Sequence, residues 1–188
     1  CFTRMGNEPW RSIRYGNGVI TVIDNFLPDD IFQATHNEIK NCDFTLMTDE
    51  IKSKGVEYPG VRTEVLKNIL PILDSSLIHY VLEQKLPFTT RPFTYWQYAH
   101  LRVEKDNKND YIHIDFNNHF AWLIYLSETN LNSGTKFYTN DDDEHTLVRF
   151  VQNRFVIFNS DIRHVSWNNH GKDLNDGRLT INGFCNYN

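Results

Sequence analysis

The stretch "DYIHIDFNNHFAWLIYLSE", Asp110–Glu128, sets a short alternating segment and a nearly unbroken apolar one on either side of an asparagine pair. Side chains two apart on an extended chain share a face, so His113 and Asp115 are expected to point one way while Ile112 and Ile114 pack the other way. That is the geometry a metal chelate requires. The pair means little alone: 8 His and 15 Asp in 188 residues give roughly 0.6 His-x-Asp triplets by chance. The rest of the chain has to decide.

Beyond Pro87 the sequence is a series of short runs rich in aromatic and β-branched residues, separated by Asn, Asp and Gly. The runs are "FTYWQYAHLRV", "YIHID", "FAWLIYLSE", "TKFYT", "TLVRFV", "RFVIFN", "HVSW" and "RLTINGFCNY", each with the texture of a strand. Eight strands after a helical preamble predict a mainly β fold with N-terminal helices. The architecture expected is a double-stranded β-helix, the jelly-roll or cupin-like arrangement, braced by helices that cover one face.

The first half supplies those helices. A strand is expected at Val19–Ile23, then Pro28, the cap candidates Asp29 and Asp30, and a helix to Lys40. Val61–Leu86 has apolar residues at three- and four-residue steps and reads as helical, divided at Pro71. Thr48–Gly60 is the candidate for a mobile insert. At 188 residues the chain suits one domain, with 1–90 as helix-rich support and 91–188 as the β core.

A formal charge of −5 and no basic stretch interleaved with aromatics argue against a nucleic-acid partner. The acidic "NDDDEH", Asn140–His145, would repel a phosphate backbone. No apolar run approaches the roughly 20 residues that cross a bilayer, and the first ten residues lack the basic start and apolar centre of a secretory signal. A soluble, cytoplasmic protein without a membrane partner is expected. Cys1, Cys42 and Cys185 are scattered and form no CxxC, so reduced thiols are expected rather than disulfides or a thiolate zinc site. Heavy use of Asn, Asp, Lys and Ile points to an AT-rich genome, such as that of a virus or a marine bacterium.

A third metal ligand is needed from a distant strand, and His164 in "FVIFNSDIRHVSW" is the best candidate. It follows an apolar strand and a polar turn, which would return it alongside the first. Two imidazoles and one carboxylate on one face of a metal leave three positions open, the ligand set of non-haem Fe(II) oxygenases. In "GRLTINGF", Arg178 and Thr180 share a face amid apolar neighbours. A buried guanidinium is costly unless an anion meets it. A dicarboxylate would supply that anion, its far carboxylate paired with Arg178 and hydrogen-bonded to Thr180.

The run from "YIHIDFNN" through "AWLIYLSE", "SGTKFY" and "RFVIFNSDIRH" to "GRLTINGFCNY" resembles the 2-oxoglutarate and Fe(II)-dependent oxygenase superfamily, its prolyl-hydroxylase-like branch in particular. The resemblance covers roughly Phe93–Tyr187. It implies that His113, Asp115 and His164 bind iron and that Arg178 holds the 5-carboxylate of 2-oxoglutarate. Tyr125 in "IYLS" is similar to the tyrosine that hydrogen-bonds the same carboxylate, and Gly134 and Thr135 match a turn leading into the next strand. "SGT" replaces the family's doubled glycine, and Tyr111 stands two rather than three residues before the first ligand.

The implied cofactor is Fe(II), with 2-oxoglutarate and O2 as cosubstrates and ascorbate as a candidate auxiliary reductant. The implied reaction is hydroxylation of an unactivated C–H bond with release of succinate and CO2. A retained carboxylate at Asp115 favours hydroxylation, since related halogenases replace it with a small residue. The substrate is a peptide or protein, prolyl residues being suggested by the branch, or a small molecule.

Two other readings stand beside this one: a non-enzymatic jelly-roll binding or assembly module with a vestigial or structural metal, and a cupin-like enzyme that uses no 2-oxoglutarate. His119 competes as a ligand from a polar loop, and His170 competes with His164. His36, His79, His100 and His145 read as packed or solvent-facing imidazoles. Tyr95, Trp96, Tyr98, Trp122 and Phe137 are expected mainly as core, and Arg62 as either a substrate clamp or a surface ion pair.

Overall fold

The computed structural model describes residues 11–15, 18–46, 59–66, 93–138 and 144–187. In chain order these form β1 (Arg11–Tyr15), β2 (Gly18–Ile23), α1 (Asp29–Lys40), β3 (Thr45–Leu46), β4 (Val61–Arg62), β5 (Phe93–Arg102), β6 (Phe120–Tyr125), β7 (Asn130–Tyr138), β8 (His145–Phe150), β9 (Phe155–Asn159), β10 (Arg163–Trp167) and β11 (Arg178–Tyr187). A 3₁₀ turn, Glu104–Asn109, follows β5.

The run at β6 explains the layering. Ala121, Leu123 and Tyr125 pack in one apolar cluster with Phe137, Val148 and Phe150 of β7 and β8. The alternate residues Trp122 and Ile124, with Leu126 just beyond, pack in a second cluster with Phe32 and Ile39 of α1. Residues on opposite faces of one strand are thus both buried, which is why the segment is apolar throughout rather than alternating.

All pairings among the described strands are antiparallel. One sheet has the order β1-β2-β9-β6-β11-β5-β4-β3 and a smaller one the order β10-β7-β8. One apolar cluster draws on strands of both sheets, as in a jelly-roll core. The other face of the large sheet is covered by α1, whose buried residues Phe32, Thr35 and Ile39 lie on one stripe. At Gly183 of β11 an added Cβ would lie 1.9 Å from the Trp122 ring. Only glycine leaves room for the indole to lie across that strand.

The expected strands at 19–23, 93–103, 120–128 and 178–187 form with shifted ends, as does the helix that closes at Lys40. Several details differ. Asp29 and Asp30 do not cap α1; Pro28 is the N-cap residue, and both carboxylates sit in the first turn, where the helix dipole favours them. Val61–Leu66 is not helical. Val61 and Arg62 form β4, and the Thr63 and Leu66 amides donate to Ala99 and Gln97 carbonyls of β5 at 2.9 and 2.8 Å. Apolar spacing in that short piece reflects docking on a sheet, not a helical face.

"YIHID" is no ladder strand either. It makes one isolated bridge, His113 to His164, because the Asp115 amide turns to the Ser160 carbonyl at 2.9 Å. The remainder of the expected helical stretch, 67–86, lies outside the described residues, as do His79, Cys1, most of Thr48–Gly60 and the acidic residues 140–143. Within 1–90 the described residues carry β1–β4 and α1, so strands of this half extend the large sheet at both of its edges. Among the described residues no helix is long and apolar enough to cross a membrane.

Candidate metal and carboxylate site

His113 and His164 come from segments far apart in sequence and meet through paired backbone bonds. The His113 amide donates to the His164 carbonyl at 3.0 Å, and the His164 amide donates back at 2.9 Å. The exchange sets their rings 4.5 Å apart between centroids. Asp115, two residues beyond His113, brings its Oδ2 to 3.4 Å from His164 Nε2. One ligand atom from each of the three residues lies within 4.8 Å of the others.

Each ring is oriented by its own neighbourhood. His113 Nδ1 lies 3.0 Å from the Tyr111 carbonyl and His164 Nδ1 lies 2.9 Å from the Ile162 carbonyl. A carbonyl oxygen can only accept, so both Nδ1 atoms carry the proton and both Nε2 atoms keep a lone pair. Second partners that fix tautomer and ring orientation in this way are what metal-ligating histidines use. Behind His164, Phe158 packs edge-on at 4.7 Å and Phe137 lies at 6.0 Å.

Burial dominates the electrostatics. It pulls the His164 pKa down to about 4; it also pulls His113 to about 4, with help from the neighbouring His164. Burial raises the Asp115 carboxyl to about 6, against a smaller opposing pull from His113. At neutral pH two neutral imidazoles and a carboxylate therefore face one another. The Nε2 lone pair and carboxylate oxygen at 3.4 Å attract only if a cation lies between them. The donor set fits a divalent metal with open positions.

A cavity runs from these ligands to Arg178, passing Thr135 and Ser166. Arg178 is 3% exposed, and burial lowers its pKa to about 10, which leaves it charged at neutral pH. Its Nη2 donates to Thr135 Oγ1 at 3.1 Å, while its Nε has no hydrogen-bond partner. The guanidinium carbon lies 5.6 Å from the centroids of both the Tyr125 and Phe150 rings. The described ion pairs give it no carboxylate. A buried cation with a spare donor, opening on a cavity, is built to meet an anion.

Of the residues expected around that anion, Tyr125 stands beside Arg178, its hydroxyl sharing a 2.8 Å hydrogen bond with Thr135 Oγ1. The Thr180 hydroxyl turns to Asn182 Oδ1 at 2.6 Å, two residues along β11. Thr135 of β7 is bonded to both Arg178 and Tyr125. Its identity in "SGT" marks only a turn; the cross-sheet contact that gives it a role arises from tertiary packing. Gly134 lies inside β7 beside a register irregularity, where a Cβ would come 2.3 Å from the Val148 carbonyl oxygen.

The competing histidines fall elsewhere. His119 is exposed and its Nδ1 bonds Asn186 Oδ1 at 3.2 Å. His170 packs edge-on against Phe150 at 5.6 Å. Among the described residues, the 113/115/164 group is the one set of three such side chains that could hold a metal. Phe137 and Trp122 are fully buried, as expected, and Trp122 lines the cavity together with Tyr98 and Phe184. Arg62 stacks over the Tyr98 ring at 5.0 Å. Arg102, also buried, lines the cavity beside the ligands; nothing in its sequence surroundings marks it.

No family model matches the chain, and no curated protein matches it in sequence. Solved structures do resemble it in fold. A prolyl-4-hydroxylase from Pseudomonas putida superposes with a TM-score of 0.60 at 16% identity, over 90% of this chain and 92% of that one. HygX from Streptomyces hygroscopicus, solved with nickel, 2-oxoglutarate and hygromycin B bound, gives 0.61 at 13% identity, over 88% of this chain and 82% of that one. A 2OG-Fe(II) oxygenase family oxidoreductase from Burkholderia pseudomallei gives 0.67 at 8% identity, over 88% and 83%. The sheet order, the converging imidazoles and these superpositions agree: the chain has the fold of the 2OG-Fe(II) oxygenases, prolyl-4-hydroxylases among them.

Proposed function

We propose that the chain is an Fe(II)- and 2-oxoglutarate-dependent dioxygenase that hydroxylates a C–H bond of a peptidyl or small-molecule substrate. The observation that carries this reading is one cavity joining three neutral-or-anionic ligand atoms within 4.8 Å to a buried arginine that has no carboxylate partner among the described residues. His113, Asp115 and His164 would hold the metal, and Arg178, Tyr125 and Thr135 one carboxylate of 2-oxoglutarate. Bound ferrous iron with 2-oxoglutarate and O2 supplies the oxidising power: one oxygen atom enters succinate as CO2 leaves, and the other enters the substrate C–H bond.

The chain's own contribution is placement. Nδ1–H bonds to backbone carbonyls keep both Nε2 lone pairs turned to the cation. Asp115 brings one negative charge to the site. Arg178, stripped of water, holds a carboxylate more strongly than an exposed arginine would. Tyr98 and Phe184 give the cavity an aromatic wall, which keeps water away and suits an apolar portion of a substrate. A role for Thr180 in the carboxylate subsite is indirect, through Asn182.

The test is succinate formation from 2-oxoglutarate by anaerobically iron-loaded protein on admission of O2, compared with His164→Ala. Iron-dependent succinate from the wild type and none above background from the variant is the expected result. Metal binding without 2-oxoglutarate turnover would instead favour a binding module on the same fold.

A further inference from the structure

The segment that carries His113 and Asp115 is weakly held by backbone alone. From Asp110 to Asn118 its described backbone bonds are the exchange with His164 and the Asp115 amide to Ser160. The side chain of Asp110 adds a second attachment. Buried to 9% exposure, it accepts hydrogen bonds from Arg102 Nη1, from Ser166 Oγ at 2.7 Å and from Asn169 Nδ2. Arg102 Nη1 also donates to Ser166. One residue pair extends the stitch: Asn107 Nδ2 donates to the Asn169 carbonyl at 2.9 Å, and the Asn169 amide donates to Asn107 Oδ1 at 2.7 Å.

These contacts join the chain just ahead of His113 to the strand and turn just after His164. They also pair the charge of Arg102, which lines the same cavity as the three ligands. Arg102 stands directly across from Arg178 in the β5–β11 register, and like charges opposite each other on one face of a sheet repel. Uncompensated, Arg102 would also repel a cation held by its neighbours.

We propose that Asp110 is a positioning residue for the metal centre: it ties the His113/Asp115 segment to the His164 strand through Arg102, Ser166 and Asn169, and it neutralises the arginine beside the cation. This rests on the metal-site reading above. Asp110 touches no ligand atom; it acts by holding the ligand segments in register and by removing a repulsive charge. Partners of this indirect kind alter metal affinity by about 10–100-fold when mutated.

The experiment is calorimetric titration of the apo protein with Mn(II) alone, with thermal denaturation of each variant to confirm folding. Asp110→Asn keeps the shape and removes the charge; Ser166→Ala removes the two bonds of the hydroxyl, to Asp110 and from Arg102, and keeps the ion pair. Expected are Mn(II) affinity lowered about 10–100-fold in the first and by about threefold or more in the second. Should Asp110→Asn fail to fold, Ser166→Ala decides alone. A loss of affinity in folded Asp110→Asn supports the proposal, whatever Ser166→Ala does. Wild-type Mn(II) affinity in folded Asp110→Asn overturns it, even if the variant melts earlier. A wild-type protein that binds no Mn(II) would overturn the metal reading itself, a separate and recognisable result.

Discussion

His113 and His164 hold each other by their backbones, each amide donating to the other's carbonyl at 3.0 and 2.9 Å. Their Nε2 atoms are thereby fixed relative to each other before any cation arrives. Preorganisation of this kind lets three ligands bind a metal without first ordering the chain. His113→Ala or His164→Ala should therefore cost at least ~100-fold in Mn(II) affinity, beyond the range seen for indirect partners. Calorimetric titration measures it; near wild-type affinity in either variant would place the metal elsewhere.

Thr135 and Thr180 separate two views of the carboxylate subsite. Thr135 Oγ1 contacts both Arg178 and Tyr125, whereas the Thr180 hydroxyl is committed to Asn182. Thr135→Val should weaken 2-oxoglutarate binding to the Mn(II)-loaded protein about tenfold, the scale of one hydrogen bond to a charged group. Thr180→Val should change it by less than about threefold. The reverse order of effects would show the subsite to be built around β11 alone.

The jelly-roll strands were legible because alternation and β-branched content survive in a single sequence, and the convergence of His113, Asp115 and His164 could be expected because a His-x-Asp pair and a histidine after a later apolar strand can return to one place. What stayed hidden is what only tertiary contact creates. Thr135 looks like a turn residue until β7 faces Arg178, and Arg102 and Asp110 look like ordinary surface charges until both are buried beside Ser166. The extended path of Val61–Leu66 was masked by apolar spacing that fits a helix as well as a docked edge.

Gly183 tests the layering. A Cβ there would meet the Trp122 ring at 1.9 Å, and the indole is fully buried, with little room to move. Gly183→Ala should destabilise the fold by at least ~1–3 kcal/mol, the usual cost of overpacking a core. Chemical denaturation gives the number; a neutral substitution would mean that the indole does not cross the strand.

His100, which is not one of the three ligands, gives a pH dependence of its own. It is 1% exposed, its Nε2–H donates to the Pro59 carbonyl at 2.9 Å, and burial holds its pKa well below the ordinary 6.5. Such a group contributes stability that is present above pH 6.5 and lost as pH falls toward the folded value, because the unfolded chain takes up the proton first. His100→Gln keeps a donor and removes the titration. Its stability should fall less steeply between pH 6.5 and 5, by up to ~1.4 kcal/mol per pH unit. Equal slopes for both proteins, from denaturant melts across that range, would contradict a buried neutral imidazole.

The most direct measurement is the visible spectrum of Fe(II)-loaded protein titrated with 2-oxoglutarate under anaerobic conditions. A charge-transfer band should grow with the diacid in the wild type, be absent in His164→Ala, and require at least ~30-fold more 2-oxoglutarate in Arg178→Gln, as loss of one partner in a buried charge pair implies. Bound iron with no band, or a band that develops equally in the Arg178 variant, would contradict a metal centre and a diacid subsite sharing this cavity.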